Sequence, residues 1–147
     1  MLFEEYYKKF LYLKKVKDKI SKLENKKIAL MNGVEIKSKD PSKDTIKIND
    51  ITDVIGNYVA ELEIVENNLK KEKEIKKEIL NQLAEIEEDL RTSKETLDKI
   101  YLYKFIDRLK YHFICKKINY GKSSFYNYLE IVEDKMKEIR SLEKNGK

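Results

Sequence analysis

The sequence has few of the residues that interrupt helices, cross-link chains or bind metals. Its 147 residues include four glycines, one proline, one cysteine, one histidine and no tryptophan. The single cysteine, Cys115, excludes an intrachain disulfide and fits a reducing compartment. No run reaches the roughly 20 apolar residues of a membrane-spanning helix, and the start MLFEEYYKKF has acids where a secretory signal needs positive charge. We therefore expect a soluble cytoplasmic protein that does not enter a membrane.

Residue groupings that carry catalysis or metal binding are also missing. His112 has no cysteine or other histidine at metal-ligand spacing, so we predict no metal site. Cys115 lies in a stretch predicted to pack, which favours a small buried side chain over a nucleophile. The acidic residues between Glu85 and Asp89 are typical of a solvated helix face, and no glycine-rich phosphate loop occurs. We expect no enzymatic activity and no cofactor.

Charge and helical periodicity are abundant instead. Charged residues make up 40% of the chain and hydrophobic ones 41%, a composition typical of long solvated helices with narrow apolar seams. From Phe3 to Met31 apolar residues recur every three or four positions, which predicts one long helix. Asn32 and Gly33 favour a helix end. Residues 32–49, with the only proline, are predicted to form a flexible connection.

A second long helix is predicted from a cap at Asp50 to Leu90. Its apolar positions follow steps of four and three, with Glu72 at one position where an apolar residue is expected. The predicted seam contains Ile51, Ile55, Tyr58, Leu62, Val65, Leu69, Ile75, Ile79, Leu83, Ile86 and Leu90. Neither helix can bury its stripe alone. We therefore predict an all-α fold in which residues 1–90 form an antiparallel helical hairpin, or coiled coil, that favours self-association.

Positive charge is concentrated in the last third of the chain. Residues 1–90 carry 18 basic and 19 acidic side chains, whereas residues 91–147 carry 14 and 8. Between Lys99 and Asn127 there are seven basic residues and one acid, Asp107. A local excess of this kind indicates a polyanionic partner, with nucleic acid first and an anionic membrane surface second.

Residues 91–147 have the spacing of a small helix-turn-helix domain. Thr92 and Glu95 fit a capping box that would start a new helix. Further on, Cys115 is a small residue suited to a close helix crossing, and Asn119 accepts the left-handed backbone of a turn. We predict that Ser123 caps a second helix starting near Ser124. The aromatic residues of this region are predicted to lie mostly in its core, since they follow helical spacing. They are Tyr111, Phe113, Tyr120, Phe125 and Tyr128.

The stretch 104–136, KFIDRLKYHFICKKINYGKSSFYNYLEIVEDKM, resembles a known motif. It is similar to the sigma-factor region 4 type of helix-turn-helix in the ArpU-like late transcription regulators of phages and prophages. Arg108 and Asn119 stand where that family has glycine, and Gly121 stands where it has a capping serine. Members often have two N-terminal helices and a low-complexity connection before the motif. The resemblance implies an all-α regulator that binds double-stranded DNA and has RNA polymerase as a partner.

In a helix-turn-helix the first turn of the second helix meets base edges in the major groove. Lys122, Ser124 and Asn127 are the candidates for base contacts, because lysine can donate to guanine and asparagine can pair with adenine. Candidates for phosphate contacts lie on or beside the first helix and at the start of the second; they are Lys110, Lys116, Lys117, Ser123 and Tyr126. Each residue type also occurs on ordinary solvated helices.

The sequence thus predicts a sequence-specific double-stranded DNA-binding transcription regulator of phage or prophage type. Two other interpretations stay open. A structural or adaptor coiled-coil protein would use the C-terminal helices only for docking and would not bind DNA. A small DNA-packaging protein, like the small subunit of a terminase, would share the helix-turn-helix but assemble into a ring.

Overall fold

The computed structural model of the protein describes residues 1–38 and 48–145, and nearly all of them are helical. The elements are α1 (Leu2–Ser38), α2 (Ile48–Thr92), α3 (Thr96–Tyr101), a π-helical turn (Leu102–Ile106), α4 (Tyr111–Ile118) and α5 (Lys122–Asn145). No strand occurs among the described residues, and the predicted all-α class is confirmed. Within the same part of the chain, no helix combines the length and apolar character needed to cross a lipid bilayer.

Both long helices extend further than predicted. α1 continues through Asn32 and Gly33 to Ser38, and α2 begins at Ile48, ahead of the predicted cap Asp50. An asparagine or glycine inside a helix costs about 1 kcal/mol or less, which does not end a helix of this length. The predicted connection 32–49 is therefore wrong at both of its ends, and its central part, residues 39–47, lies outside the described residues.

The chain divides into two compact units. The first comprises Met1–Leu13 together with Ile79–Lys147, and the second comprises Lys14–Glu78. The first turns of α1 and the last turns of α2 share the core of the C-terminal helices, since Phe3 and Leu90 are buried in one cluster with Phe125. The predicted boundary after residue 90 consequently falls inside the first unit.

The second unit is a thin antiparallel pair of helical segments. Among its residues whose side chains the structure describes, the buried apolar ones are Val16, Ile20, Val65 and Leu69. Ion pairs across the two segments show their opposite directions, since Lys27 lies 3.4 Å from Glu66 and Glu24 lies 3.8 Å from Lys73. Several apolar residues predicted to lie in the seam are exposed instead. They are Ile28, Met31 and Ile55.

The first unit has the larger core, to which every helix of this unit contributes. Its fully buried side chains lie on α1, α2, α3, the π-helical turn, α4 and α5; they include Phe3, Leu90, Ile100, Leu102, Ile114, Phe125 and Val132. Lys135 of α5 pairs with Glu4 of α1 across 3.1 Å, and Lys9 of α1 donates to Gln82 of α2 across 2.8 Å. Burial of this apolar surface is the main stabilising term for the unit.

A buried carboxylate fixes the start of α1 in this core. Asp98, on α3, is only 1% exposed, and its Oδ1 accepts a hydrogen bond from the Phe3 backbone amide across 3.0 Å. Its Oδ2 accepts a hydrogen bond from the Ser93 hydroxyl across 3.1 Å. The first amides of a helix have no partner within the helix. Asp98 therefore caps α1 from a position 95 residues away in the sequence.

The predicted capping box at Thr92 and Glu95 is wrong. Thr92 is the last residue of α2, and its hydroxyl lies within hydrogen-bonding distance of the carbonyls of Glu88 and Asp89. Glu95 precedes α3 but makes no capping hydrogen bond with its side chain. Ser93 forms the local side-chain hydrogen bond instead: its Oγ accepts a hydrogen bond from the Glu95 backbone amide across 3.2 Å.

A widened turn and a left-handed residue lead from α3 to α4. The Asp107 amide donates to the Leu102 carbonyl across 2.9 Å, which is a hydrogen bond of π-helical spacing. Arg108 then has φ 55°, and the Leu109 amide donates to the Tyr103 carbonyl across 2.9 Å. A side chain with a Cβ is strained in this backbone region. The turn is therefore better suited to glycine than to arginine.

Arg108→Gly is expected to raise the free energy of unfolding by about 0.5–1 kcal/mol, because relief of the left-handed strain exceeds the entropic cost of glycine in the unfolded chain. Arg108→Ala is the matched control, since alanine keeps the Cβ and gains nothing from the change. Urea denaturation followed by far-UV circular dichroism measures both variants. A glycine variant that is no more stable than the alanine variant would show that the backbone at Arg108 is not strained.

Tyr101 makes the core sensitive to alkali. Its ring contacts those of Phe3 and Phe105 at centroid distances of 5.5 and 5.4 Å. Burial, followed by the neighbouring phenols Tyr6 and Tyr7, raises the pKa of Tyr101. Below about pH 10 both folded and unfolded states keep the phenolic proton, and above it only the unfolded state releases it readily. Stability should therefore fall as the pH rises beyond about 10.

Tyr101→Phe is expected to remove roughly 1 kcal/mol of the stability loss between about pH 9.5 and 11, since phenylalanine has no proton to release. Urea denaturation at several pH values compares the variant with the wild type. An identical alkaline decline in both proteins would show that Tyr101 does not cause it.

Candidate nucleic-acid interface

A short turn joins α4 to α5. Asn119 ends α4 with φ 59° and ψ 36°, which is left-handed backbone. Its own amide and that of Tyr120 both donate to the Cys115 carbonyl, the second across 3.3 Å. Asparagine tolerates this conformation because its short polar side chain can form local hydrogen bonds. The prediction that Asn119 is the turn residue is confirmed.

The start of α5 differs from the prediction. Lys122 is its first residue, and the Phe125 amide donates to the Gly121 carbonyl across 3.0 Å. Gly121 therefore occupies the cap position, and the predicted cap Ser123 lies within the first helical turn. Glycine at a cap is only a few tenths of a kcal/mol less favourable than serine. The helix consequently begins without a capping hydroxyl, and the Ser123 side chain is exposed.

The core decides which side of α5 faces solvent. Ile114 and Ile118 of α4 lie in the same buried cluster as Phe125 and Leu129 of α5. Residues one helical turn apart share a face. The exposed side of the first two turns of α5 therefore carries four polar or aromatic residues, which we call the α5 strip: Lys122, Ser123, Tyr126 and Asn127.

The α5 strip contains two of the three predicted base-contact residues. Lys122 and Asn127 are exposed, whereas Ser124 is half-buried beside the fully buried Phe125. Ser123, predicted to contact phosphate, is better exposed than Ser124. The sequence placed the start of the helix two residues too late, and that error also shifted the expected orientation of the serines.

The three lysines predicted to contact phosphate lie at the two ends of α4. Lys110 precedes the helix, and its carbonyl accepts from the Phe113 and Ile114 amides across 3.1 and 3.2 Å. Lys116 and Lys117 lie in the last turn, where positive charge also complements the helix dipole. All three are exposed, and the Lys117 Nζ lies 5.0 Å from the centre of the Tyr103 ring.

Most of the aromatic residues near the turn are exposed, contrary to the prediction that they form the core. Three residues predicted to lie in the core, Tyr111, Phe113 and Tyr120, are between 40% and 49% exposed. Tyr126, which was not among the predicted core residues, is 46% exposed. Phe125 alone is fully buried, and Tyr128 is half-buried. Isoleucines on α4 fill the space under Phe125, so the four exposed rings lie outside that core. Helical spacing alone did not distinguish these two sets of positions.

Two of the exposed rings connect α4 with the α5 strip. The Tyr111 and Tyr126 ring centroids are 6.2 Å apart, and the Lys122 Nζ lies 5.2 Å from the Tyr111 centroid. A cation above an aromatic face is attracted by the ring quadrupole. Tyr111 therefore helps to position Lys122 at the start of α5. The sequence did not indicate this role, because the two residues lie on different helices.

The segment that contains α4, the turn and the start of α5 lacks acidic side chains. Residues 108–129 contain five basic residues and no aspartate or glutamate. Asp107, just before them, is held by Arg91, whose guanidinium nitrogens lie 2.9 and 3.3 Å from its two carboxylate oxygens. Arg91 also pairs with Glu87 across 2.8 Å. The hydrogen bond with Asp107 and then that with Glu87 raise the pKa of Arg91, so its charge is constant and the negative charge of Asp107 is offset.

His112 and Cys115 both lie on α4. His112 is exposed, and its ring lies 4.3 Å from that of Phe113. Cys115 is a half-buried free thiol. Over residues 1–38 and 48–145, histidine, cysteine, aspartate and glutamate side chains nowhere gather in a group of three that could hold a metal ion.

No family model, no curated protein and no solved structure matches the chain. The assignment of a function therefore depends on the residues and the geometry described above.

Proposed function

We propose that this chain is a sequence-specific double-stranded DNA-binding protein that regulates transcription in a phage or prophage. The observation that carries the proposal is the α5 strip itself, exposed on the first two turns of a 24-residue helix that follows a left-handed turn. An α-helix of this kind fits the major groove of B-DNA with its N-terminal residues toward the bases.

The residue types on the α5 strip suit base recognition. Lys122 can donate to the O6 and N7 atoms of guanine, and Asn127 can make two hydrogen bonds to adenine. Tyr126 and Ser123 offer hydroxyl groups to bases or to phosphate oxygens. None of the four is required for the core, since Phe125 and Leu129 supply the packing of these turns.

The lysines of α4 suit phosphate contacts. Lys110, Lys116 and Lys117 lie at both ends of this helix, which runs directly before the turn. In a helix-turn-helix the first helix crosses the DNA backbone while the second enters the groove. Neutralising phosphates at both ends of α4 would set the position of α5 on the duplex without reading sequence.

Self-association through the long helices is part of the proposal. Ile28, Ile55, Val59 and Ile64 in the second unit are each more than half exposed. Exposed apolar side chains of this size favour contact with another apolar surface. The same residues are the observation that favours the adaptor interpretation, while RNA polymerase as a partner rests on the resemblance of residues 104–136 alone.

Selection from a pool of random duplexes, followed by fluorescence anisotropy, tests DNA binding directly. We expect a recurrent sequence to emerge and its affinity to fall as salt rises, with a slope set by the number of neutralised phosphates. The adaptor interpretation predicts no enrichment and no binding near physiological salt. Light scattering in the same buffer separates a dimer from the ring expected of a DNA-packaging protein.

Lys122→Ala combined with Asn127→Ala is expected to reduce the preference for the selected duplex over random DNA by at least about 30-fold, because each of the two lost base contacts contributes roughly 1–3 kcal/mol of discrimination. Lys137→Ala is the matched control, since it removes an exposed lysine from α5 beyond the α5 strip. Anisotropy with both duplexes gives the ratio. Unchanged discrimination in the double variant would remove these two residues from base recognition.

A further inference from the structure

A cavity of about 250 Å³ lies in the first unit, where α1, the π-helical turn and α5 meet. It shares no residue with the α5 strip or with the three lysines of α4. Most of its lining is aromatic or aliphatic, including Tyr6, Tyr101, Phe105, Ile106 and Met136. Arg108 is the one charged residue in this lining.

The aromatic wall of the cavity is well packed. The Tyr101 ring lies 5.4 Å from that of Phe105 and 5.8 Å from that of Tyr6. Burial raises the pKa of Tyr6 and that of Tyr101, so both phenols keep their protons at neutral pH. The lining of the cavity therefore consists mainly of flat, uncharged rings.

Arg108, which lines the same cavity, has an unusual backbone conformation. Its backbone is left-handed, where glycine would be relaxed, and it directly follows a π-helical turn. Strained residues and π-helical turns both cluster at functional sites. Among the described residues, no carboxylate forms an ion pair with Arg108. An unpaired guanidinium is therefore available to a ligand.

We propose that this cavity binds a small aromatic monocarboxylate. The ring would lie against Tyr6 and Phe105, and the carboxylate would accept hydrogen bonds from the Arg108 guanidinium, which matches it in charge and geometry. The volume is below the roughly 300–1,000 Å³ of pockets for drug-sized ligands, which favours a single ring. The apolar lining disfavours phosphate esters, whose second negative charge would find no partner here.

Ligand-observed NMR on the full chain tests this site, with phenylacetate as the probe and phenylacetamide as its neutral counterpart. We expect phenylacetate to bind in the millimolar range and phenylacetamide at least tenfold more weakly. Arg108→Gly should weaken phenylacetate binding at least tenfold while remaining folded, because its backbone suits glycine. Arg140→Ala, which removes an exposed arginine of α5 outside the cavity, should bind as the wild type does.

Three results would each overturn the site: no binding of phenylacetate up to its solubility limit, equal binding of the acid and the amide, or equal binding by Arg108→Gly and the wild type. The comparison of acid with amide uses only the wild-type protein, so it decides the question even if a variant is poorly folded. DNA binding plays no part in the measurement, and the outcome is independent of the proposed function.

Discussion

Asp98→Ala is expected to lower the free energy of unfolding by about 3 kcal/mol, the largest effect we expect from a single substitution of a charged residue in this chain. The change removes the acceptor of the Phe3 amide and of the Ser93 hydroxyl at the same time. Phe3 is fully buried, so its amide has no route to water without opening the core. A buried donor left unpaired costs roughly 1–3 kcal/mol, and the lost cap of α1 adds to that cost.

Urea denaturation followed by circular dichroism measures the loss, and hydrogen exchange at the Phe3 amide locates it. Asp98→Asn keeps one oxygen acceptor and should lie between alanine and wild type. Asp134→Ala, an exposed aspartate on α5, is the matched control and should change stability by less than about 0.5 kcal/mol. If Asp98→Ala is as stable as this control, the carboxylate does not hold α1 in the first unit.

The role of Asp98 could not be predicted from the sequence, although the long helices could. Periodicity predicted the long helices and much of their buried seam, because apolar spacing reflects which side of a helix is packed. The partners of Asp98 lie on α1 and in the loop before α3, and no local spacing relates Phe3 to a residue 95 positions away. Local spacing therefore does not distinguish Asp98 from the other charged residues of an amphipathic helix.

Helix ends were predicted less well than helix interiors, for a related reason. Asn119 was identified because the left-handed region restricts the residues that can occupy it. Caps are less selective, since glycine at a cap position is only a few tenths of a kcal/mol less favourable than serine. The start of α5 was accordingly misplaced by two residues, and with it the side on which Ser123 and Ser124 lie.

The exposed rings near the turn could not be predicted from spacing either. A small core accepts only as many large side chains as its volume allows, and Ile114, Ile118 and Phe125 already fill the space between α4 and α5. Tyr111 and Tyr126 are left outside, where they meet Lys122. The consequence for the proposed interface is a base-contact lysine supported by a ring from the preceding helix.

The largest effect on DNA binding is expected from removing the three lysines of α4 together. Lys110, Lys116 and Lys117 replaced by alanine should reduce affinity for the selected duplex by roughly two orders of magnitude at about 0.1 M salt. Each neutralised phosphate contributes roughly 0.9 to the slope of log affinity against log salt, so the slope should flatten by about 2.7. Anisotropy titrations at four or more salt concentrations give both quantities.

The preference for the selected duplex over random DNA should survive this change, because phosphate contacts carry no sequence information directly. That separates the triple variant from Lys122→Ala with Asn127→Ala, in which the preference falls. A triple replacement of Lys17, Lys22 and Lys26 in the second unit is the matched control: it removes the same charge from exposed positions on α1. If the control flattens the salt slope as much as the α4 variant does, DNA is attracted by the overall charge of the chain and α4 does not position α5 on it. If only the α4 variant flattens the salt slope, the lysines of α4 contact phosphates and position α5 on the DNA.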